Sequence, residues 1–258
     1  MGVRRSIIRV LDHALPARVK KSLVNLGFNL DLPQFQRLAT KYLFAPHMEF
    51  GLQSLAERGF NPSTILDVGA FEGNWAEMAL RVWPRANIIM VEAHPEKAEF
   101  IRRKLPRAEL IQCLLGSEEG KQVTFHLMEA GSSVFQEHSP VERRSVQIEQ
   151  RGLDVVMANR PQPELIKVDV QGYEIEVLKG GLQTLSGAQA VILELSLIEI
   201  NEGAPLLHEA LIFMKSQGFV AYDIFEIHRR PLDGAMNQVD FVFLPEISPL
   251  RSDRRHWS

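Results

Sequence analysis

The sequence predicts an α/β fold: a Rossmann-like, mostly parallel sheet of seven strands with an antiparallel edge, preceded by an N-terminal helical extension over residues 1–59. Three observations carry this. Residues 65–75 (ILDVGAFEGNW) run apolar, break at Asp67, turn over Gly69 and Gly73, and pass straight into a helical pattern at Trp75, Met78, Ala79 and Val82. That is how a strand, a tight loop and a helix are written. A second apolar run, 87–91, ends in Glu92, roughly 20 positions beyond Gly73, where the acid of a nucleotide-binding βαβ unit reaches a ribose diol. A third, 165–172 (LIKVDVQG), leads directly into another helix.

Composition bounds what such a fold does. At 258 residues, 45% hydrophobic and 24% charged, the chain suits one large domain, 60–247, with an appendage before it and a loose tail after it, 248–258. A net charge of -3 gives no basis for broad binding of nucleic acid. The single cysteine, Cys113, cannot close an internal disulfide and sits in the apolar run 110–115, so it reads as core. No apolar stretch approaches the roughly 18 residues of a membrane span. Arg9, Asp12 and His13 interrupt any signal-peptide core, and a cytoplasmic enzyme is the default expectation.

In chain order, residues 1–30 carry Arg4, Arg5, Arg9, Arg18, Lys20 and Lys21 against Asp12, with Ile7, Ile8, Leu11 and Leu15 on one helical face. Such a basic amphipathic helix docks on its own domain, on a second subunit or on a membrane surface; it lacks the aromatic anchors that favour the membrane. Two further helical patterns follow, the second closed by Gly59. After Glu92, His94-Pro95 opens a helix to Leu105, proline fitting its first turn. The third strand, 110–115, is expected to end at Gly116 and Ser117, on the adenine side of a bound nucleotide. Residues 122–127 and 146–148 alternate as strands around the small polar segment 131–134, read either as a surface loop or as a flap over the ligand.

The strand at 165–170 is anomalous, because central parallel strands are apolar on both faces and this one carries Lys167 and Asp169. Either the two pair with each other, or Asp169 stands at the open strand end for a purpose. Glu194 interrupts the strand 191–196 in the same way. A helix over 206–217 and two strands, 219–225 and 239–244, complete the fold; the turn between the strands is too short for a crossover, so they should pair antiparallel.

Charge points to the ligand. A carboxylate at Asp67 would repel the pyrophosphate of a dinucleotide but suits the cationic methionine end of S-adenosylmethionine. Phe71 also replaces the middle glycine of the dinucleotide fingerprint. With Leu66-Asp-Val-Gly-Ala70 and Gly73, Val91-Glu92, the Gly131-Ser-Ser-Val segment, the string 166–174 (IKVDVQGYE), Leu178-Lys-Gly-Gly181, Leu193-Glu194 and Gln238-Val-Asp240, the chain from about 60 to 245 resembles the FkbM-type S-adenosylmethionine-dependent methyltransferases, departing from their pattern at Phe71 and Glu72. The resemblance implies the class I methyltransferase fold, methyl transfer to a hydroxyl of a sugar, glycan or natural product, and cofactor contacts at Asp67, Gly69, Gly73 and Glu92. Ser117 and Asp169 complete the expected cofactor set.

Because an alcohol needs its proton removed to attack a sulfonium, Asp169 is the candidate base, with Glu194 an orienting or alternative carboxylate and His94 a third candidate. No histidine or cysteine pair has metal-ligand spacing, so no built-in metal site is expected, although Asp169 and Glu194 could share a loosely held Mg²⁺. A hydrolase is disfavoured by the missing Gly-x-Ser-x-Gly elbow. The rival readings are a non-catalytic S-adenosylmethionine-binding scaffold and a nicotinamide-dependent oxidoreductase.

Overall fold

A computed structural model describes residues 46–128, 131–138 and 143–256. The compact unit built from them begins at Met48. Helix α1 (Met48–Glu57) belongs to it, with Leu52 and Leu55 fully buried. The basic segment 1–30 and the helical patterns up to residue 45 lie outside the described residues.

Strand β1 (Thr64–Val68) is buried along its whole length and pairs in parallel with β2 (Asn87–Glu92) on one side. Helix α2 (Asn74–Val82) joins them. Trp75, Ala76 and Ala79 form its buried stripe, and Pro84 follows two residues after its end, where the helix cannot continue. Helix α3 (Pro95–Lys104) has proline at its first position and a His94 cap whose Nδ1 accepts the Glu96 N–H at 3.2 Å; Arg102, Arg103 and Lys104 sit at the negative end of its dipole. It leads to β3 (Glu109–Gln112), parallel to β2.

The run expected as one strand over 110–115 is broken at Cys113. Leu114 and Leu115 form a separate short strand, β4, which pairs with β6 (Arg144–Arg151) in a three-stranded second sheet completed by β5 (Gln122–Leu127). Leu114, Phe125 and Leu127 make that sheet's own small core.

The chain re-enters the main sheet through α4 (Leu153–Met157) and β7 (Leu165–Val168), parallel to β1. Helices α5 (Glu174–Lys179) and α6 (Leu182–Ser186) lead to β8 (Ala190–Ser196), and α7 (Leu207–Ser216) leads to β9 (Phe219–Arg229) and β10 (Met236–Pro245). The sheet order is β3-β2-β1-β7-β8-β10-β9, with β10 antiparallel to both neighbours. This is the expected seven-stranded, mostly parallel sheet with an antiparallel edge. Residues alternate between two cores: Leu66, Val68, Ile166 and Val168 pack with Leu153, Leu178 and Met214, whereas Ile65, Leu165 and Ile192 pack with Leu52, Trp75 and Ala79. After β10, a short 3-10 turn covers Pro249–Arg251. Among the described residues no helix is long and apolar enough to cross a membrane.

Candidate active site

A cavity of about 240 Å³ opens outside the carboxyl ends of β1, β2 and β7, with the second sheet as its far wall. Open α/β sheets bind their ligands at such strand ends. Its polar floor comes from Gly69, Glu92, Asp169 and Gln171, and its apolar side from Phe71, Leu114, Phe125 and Val134.

The glycine loop after β1 is shaped by two close approaches. Gly69 has φ +78, and a Cβ there would lie 1.8 Å from the carbonyl oxygen of Asp169, so this glycine is what lets the ends of β1 and β7 meet. Phe71 is left-handed as well, at φ 51, although it carries a side chain. Its amide explains how that conformation holds: Phe71 N–H donates to Glu92 Oε2 at 2.7 Å, and the Lys97 ammonium sits 4.1 Å from the ring centroid. Gly73, expected as a cofactor contact, is not in the cavity lining: at φ 71 it caps α2 and faces Leu105.

Glu92 is buried at the end of β2 and lines the cavity. Oε1 takes the His94 N–H at 2.7 Å while Oε2 takes that of Phe71. Burial pushes this carboxyl up, and the two backbone donors pull it back. Each oxygen keeps lone-pair capacity for a diol. His94 lines the same wall, with Nδ1 committed to capping α3; its imidazole is pushed down by burial. The Cys113 thiol also lines the cavity rather than lying in a closed core, and burial pushes it up to about 11, which disfavours the thiolate.

Asp67 is placed differently from the expectation. Its side chain is fully buried on the face of β1 that packs against Trp75, and it is not part of the cavity wall. Lys167, its register partner on β7, brings Nζ to 3.8 Å, yet neither oxygen has a hydrogen-bond partner among the described residues. Burial is the main reason its carboxyl rises to about 6, with Lys167 opposing and Asp169 adding to the rise. Ser117 is also off the cavity: the break at Cys113 carries it away, and its hydroxyl donates to Glu176 Oε2.

Lys167 and Asp169 pair with each other, and Asp169 stands at the open strand end. Lys167 Nζ is 2.9 Å from Asp169 Oδ2, and Asp169 also lines the cavity, its side chain 26% exposed. Burial pushes the Asp169 carboxyl up, but the Lys167 ammonium together with hydrogen bonds from Lys167, Glu194 and Gln171 brings it below the ordinary carboxylate range. Glu194 stands behind Asp169, off the cavity wall. Burial, Asp169 and Asp240 hold it well above the ordinary carboxylate value.

Gln171, which sequence reading passed over, joins these groups. At φ 55 its Nε2 reaches Asp169 Oδ1 at 3.2 Å and Glu194 Oε2 at 2.6 Å. Its carbonyl oxygen accepts from Ser133 Oγ at 2.8 Å and Asn201 Nδ2 at 2.9 Å. The segment around Ser133 is therefore fastened to the floor, and Gly131, Ser132 and Val134 line the cavity as a flap would. Also unread were His228 and the roles of Gln238 and Asp240: Gln238 Nε2 donates to Glu194 Oε2 at 2.8 Å, and His228 Nε2 is 2.9 Å from Asp240 Oδ2. Polar residues two apart on otherwise apolar strands, Gln238 with Asp240 and Glu226 with His228, were the available signal.

The last residue of the 166–174 string has a structural job. Glu174 Oε1 accepts the N–H groups of Val170 and Gly172, both at 3.0 Å, and so latches the turn that holds Gln171 left-handed. Burial pushes its carboxyl up to about 7 from the ordinary 4.5. In the folded chain it thus keeps a proton that the unfolded chain gives up, so its contribution to stability is complete below pH 4.5 and is lost as pH rises through about 7. Glu174→Gln can make the same two bonds and does not ionise. Urea unfolding at pH 5 and pH 8 should show a flatter profile for the variant, with a relative gain of up to about 3 kcal/mol at pH 8; an unchanged slope between the two pH values would contradict this.

A family model described as "Methyltransferase FkbM domain" matches residues 67–221. Among curated proteins, the chain is 27% identical over 178 residues to "2-O-methyltransferase NoeI" of Sinorhizobium fredii, covering 61% of this chain and 73% of that protein. Solved structures with weak overall likeness include magnesium protoporphyrin IX methyltransferase from Synechocystis (TM-score 0.46, 9% identity, 76% of this chain and 79% of that one). Another is precorrin-6y C5,15-methyltransferase from Geobacter metallireducens (0.45, 13%, 76% and 86%).

Proposed function

Because the chain belongs to the FkbM methyltransferase domain family, enzymes that draw their methyl group from S-adenosylmethionine, we propose that it methylates a hydroxyl oxygen of a sugar, glycan or natural product. Asp169 receives the hydroxyl proton. The observation that carries the reading is the cavity floor, where the buried carboxylate of Glu92 and the charged carboxylate of Asp169 flank a glycine loop. The relative named as a 2-O-methyltransferase supports the oxygen acceptor.

The residues fit the cofactor. Glu92 is set to accept from a ribose diol, the apolar wall of Leu114, Phe125 and Val134 offers a flat surface to an adenine, and Asp169 favours positive charge near the reacting centre. S-adenosylmethionine supplies a methyl carbon on a cationic sulfur. Once bound, it would offer that carbon to the acceptor oxygen with the sulfur as leaving group, and the Asp169 carboxylate would take the proton the hydroxyl gives up. Lys167 holds that carboxylate in place at 2.9 Å. Alignment of oxygen, carbon and sulfur is worth roughly 7–11 kcal/mol, and general-base assistance about 10²- to 10⁴-fold.

Calorimetric titration with S-adenosylmethionine and with NAD tests the cofactor: binding of the first alone is expected, and binding of NAD alone ends the reading. Radiolabelled methyl transfer to pooled glycans, glycolipids and small alcohols then separates an enzyme from a scaffold. Label should appear in a base-stable ether; cofactor binding with no transfer to any pool would favour the scaffold.

A further inference from the structure

Behind Asp169 and Gln171, on the same face of the sheet, three adjacent strands bring a histidine and two carboxylates together. Glu194 on β8, Asp240 on β10 and His228 on β9 each offer one ligand atom, and these atoms lie within 4.8 Å of one another. We propose that Glu194, His228 and Asp240 form a binding site for a divalent transition-metal ion of the manganese-to-zinc class.

Geometry is the first support. Around an ion held at about 2.1 Å, neighbouring ligand atoms stand roughly 3 to 3.5 Å apart. His228 Nε2 is 2.9 Å from Asp240 Oδ2 and 3.7 Å from Glu194 Oε1, so a small rotation of Glu194 closes the set.

A second support is the outer shell. Gln171 and Gln238 both donate to Glu194 Oε2, which aims Oε1 at His228, and Gln238 Nε2 lies 3.2 Å from Gln171 Oε1. Amides that fix the free oxygen of a carboxylate are the kind of support ligating side chains receive.

Charge is the third. Asp169 just after β7, Glu194 on β8 and Asp240 on β10 bring three carboxyl groups together, and Lys167 is turned toward Asp169 and Asp67. A divalent ion offsets that excess.

Access is open, because the His228 side chain is 36% exposed whereas those of Glu194 and Asp240 are 10% and 5%. An imidazole with two carboxylates suits manganese, iron, cobalt or zinc; magnesium and calcium prefer oxygen alone. The site is one side chain, Gln171, away from the cavity.

The test measures binding and needs no turnover, so it stands apart from the methyl-transfer assay. The full chain, stripped with chelator, is titrated with Mn²⁺ and free ion is followed by electron paramagnetic resonance, with Zn²⁺ and Mg²⁺ as competitors. One saturable equivalent is expected, displaced by Zn²⁺ and not by equimolar Mg²⁺, with affinity at least 10-fold weaker in His228→Ala and in Asp240→Asn. Glu246→Gln, at an exposed acid, should bind as the parent does. No saturable binding, affinity unchanged in His228→Ala, or equal displacement by Mg²⁺ would overturn the proposal. Circular dichroism of each variant separates loss of the site from loss of the fold, and if His228→Ala unfolds, His228→Gln takes its place under the same criteria.

Discussion

Gly69→Ala should unfold the domain or cost it at least about 4 kcal/mol, the size of effect that comes only from a forced clash or a broken core. The added methyl would lie 1.8 Å from the Asp169 carbonyl oxygen, and neither backbone segment has room to retreat, because β1 and β7 are hydrogen-bonded neighbours in the middle of the sheet. Two effects are mixed in that figure, and Gly120→Ala separates them. Gly120 has almost the same backbone angle, φ +79, but nothing within 4 Å of the new methyl, so it carries only the left-handed penalty of roughly 1–2 kcal/mol. Urea unfolding of the two variants gives the difference. Equal losses would mean that the close approach of the strand ends is not what the glycine serves.

Asp169→Asn should leave the fold intact and lower turnover by about 10² to 10⁴. Breaking a buried ion pair costs as much as 3–5 kcal/mol when the remaining charge is stranded, but two features reduce the cost here. The Asp169 side chain is partly exposed, and Lys167 retains Asp67 at 3.8 Å. Neutralising Asp169 also removes one of the causes that hold Asp67 high, so Asp67 becomes a better partner for the ammonium. Asparagine can still accept from Gln171 Nε2. Circular dichroism and thermal melting should therefore show a modest shift, with S-adenosylmethionine affinity changed far less than turnover. Unchanged turnover would remove Asp169 from the mechanism.

Much of this fold could be read from the sequence because its strands announce themselves. Residues 64–68 and 87–92 are apolar runs that stop at a glycine or an acid, and helix α3 carries its own start signal in His94 and Pro95. The misses have physical causes. Apolar runs report burial and not the sheet in which it occurs, so the break at Cys113 that sends Leu114 and Leu115 to a second sheet was invisible, and Ser117 went with them. Period-two alternation put Asp67 and Ile65 on one face but did not say that this face packs on Trp75 rather than opening on the cavity. Asp169, Gly69 and Glu92 were recoverable because they sit at strand ends, where chain direction alone fixes their location. His228, Asp240 and Gln171 act through register between β8, β10 and β9 and through one left-handed turn, and neither is encoded locally.

The carbonyl oxygen of Gln171 is a shared hook. One donor on it comes from the segment 131–134 that lines the cavity and the other from the stretch between β8 and α7, while the side chain of the same residue touches two carboxylates beneath. Anything that shifts this residue bears on Ser133 and Asn201 together. The two segments are in that sense coupled through one atom, and hydrogen exchange at residues 133 and 201 should slow in concert when the cavity fills.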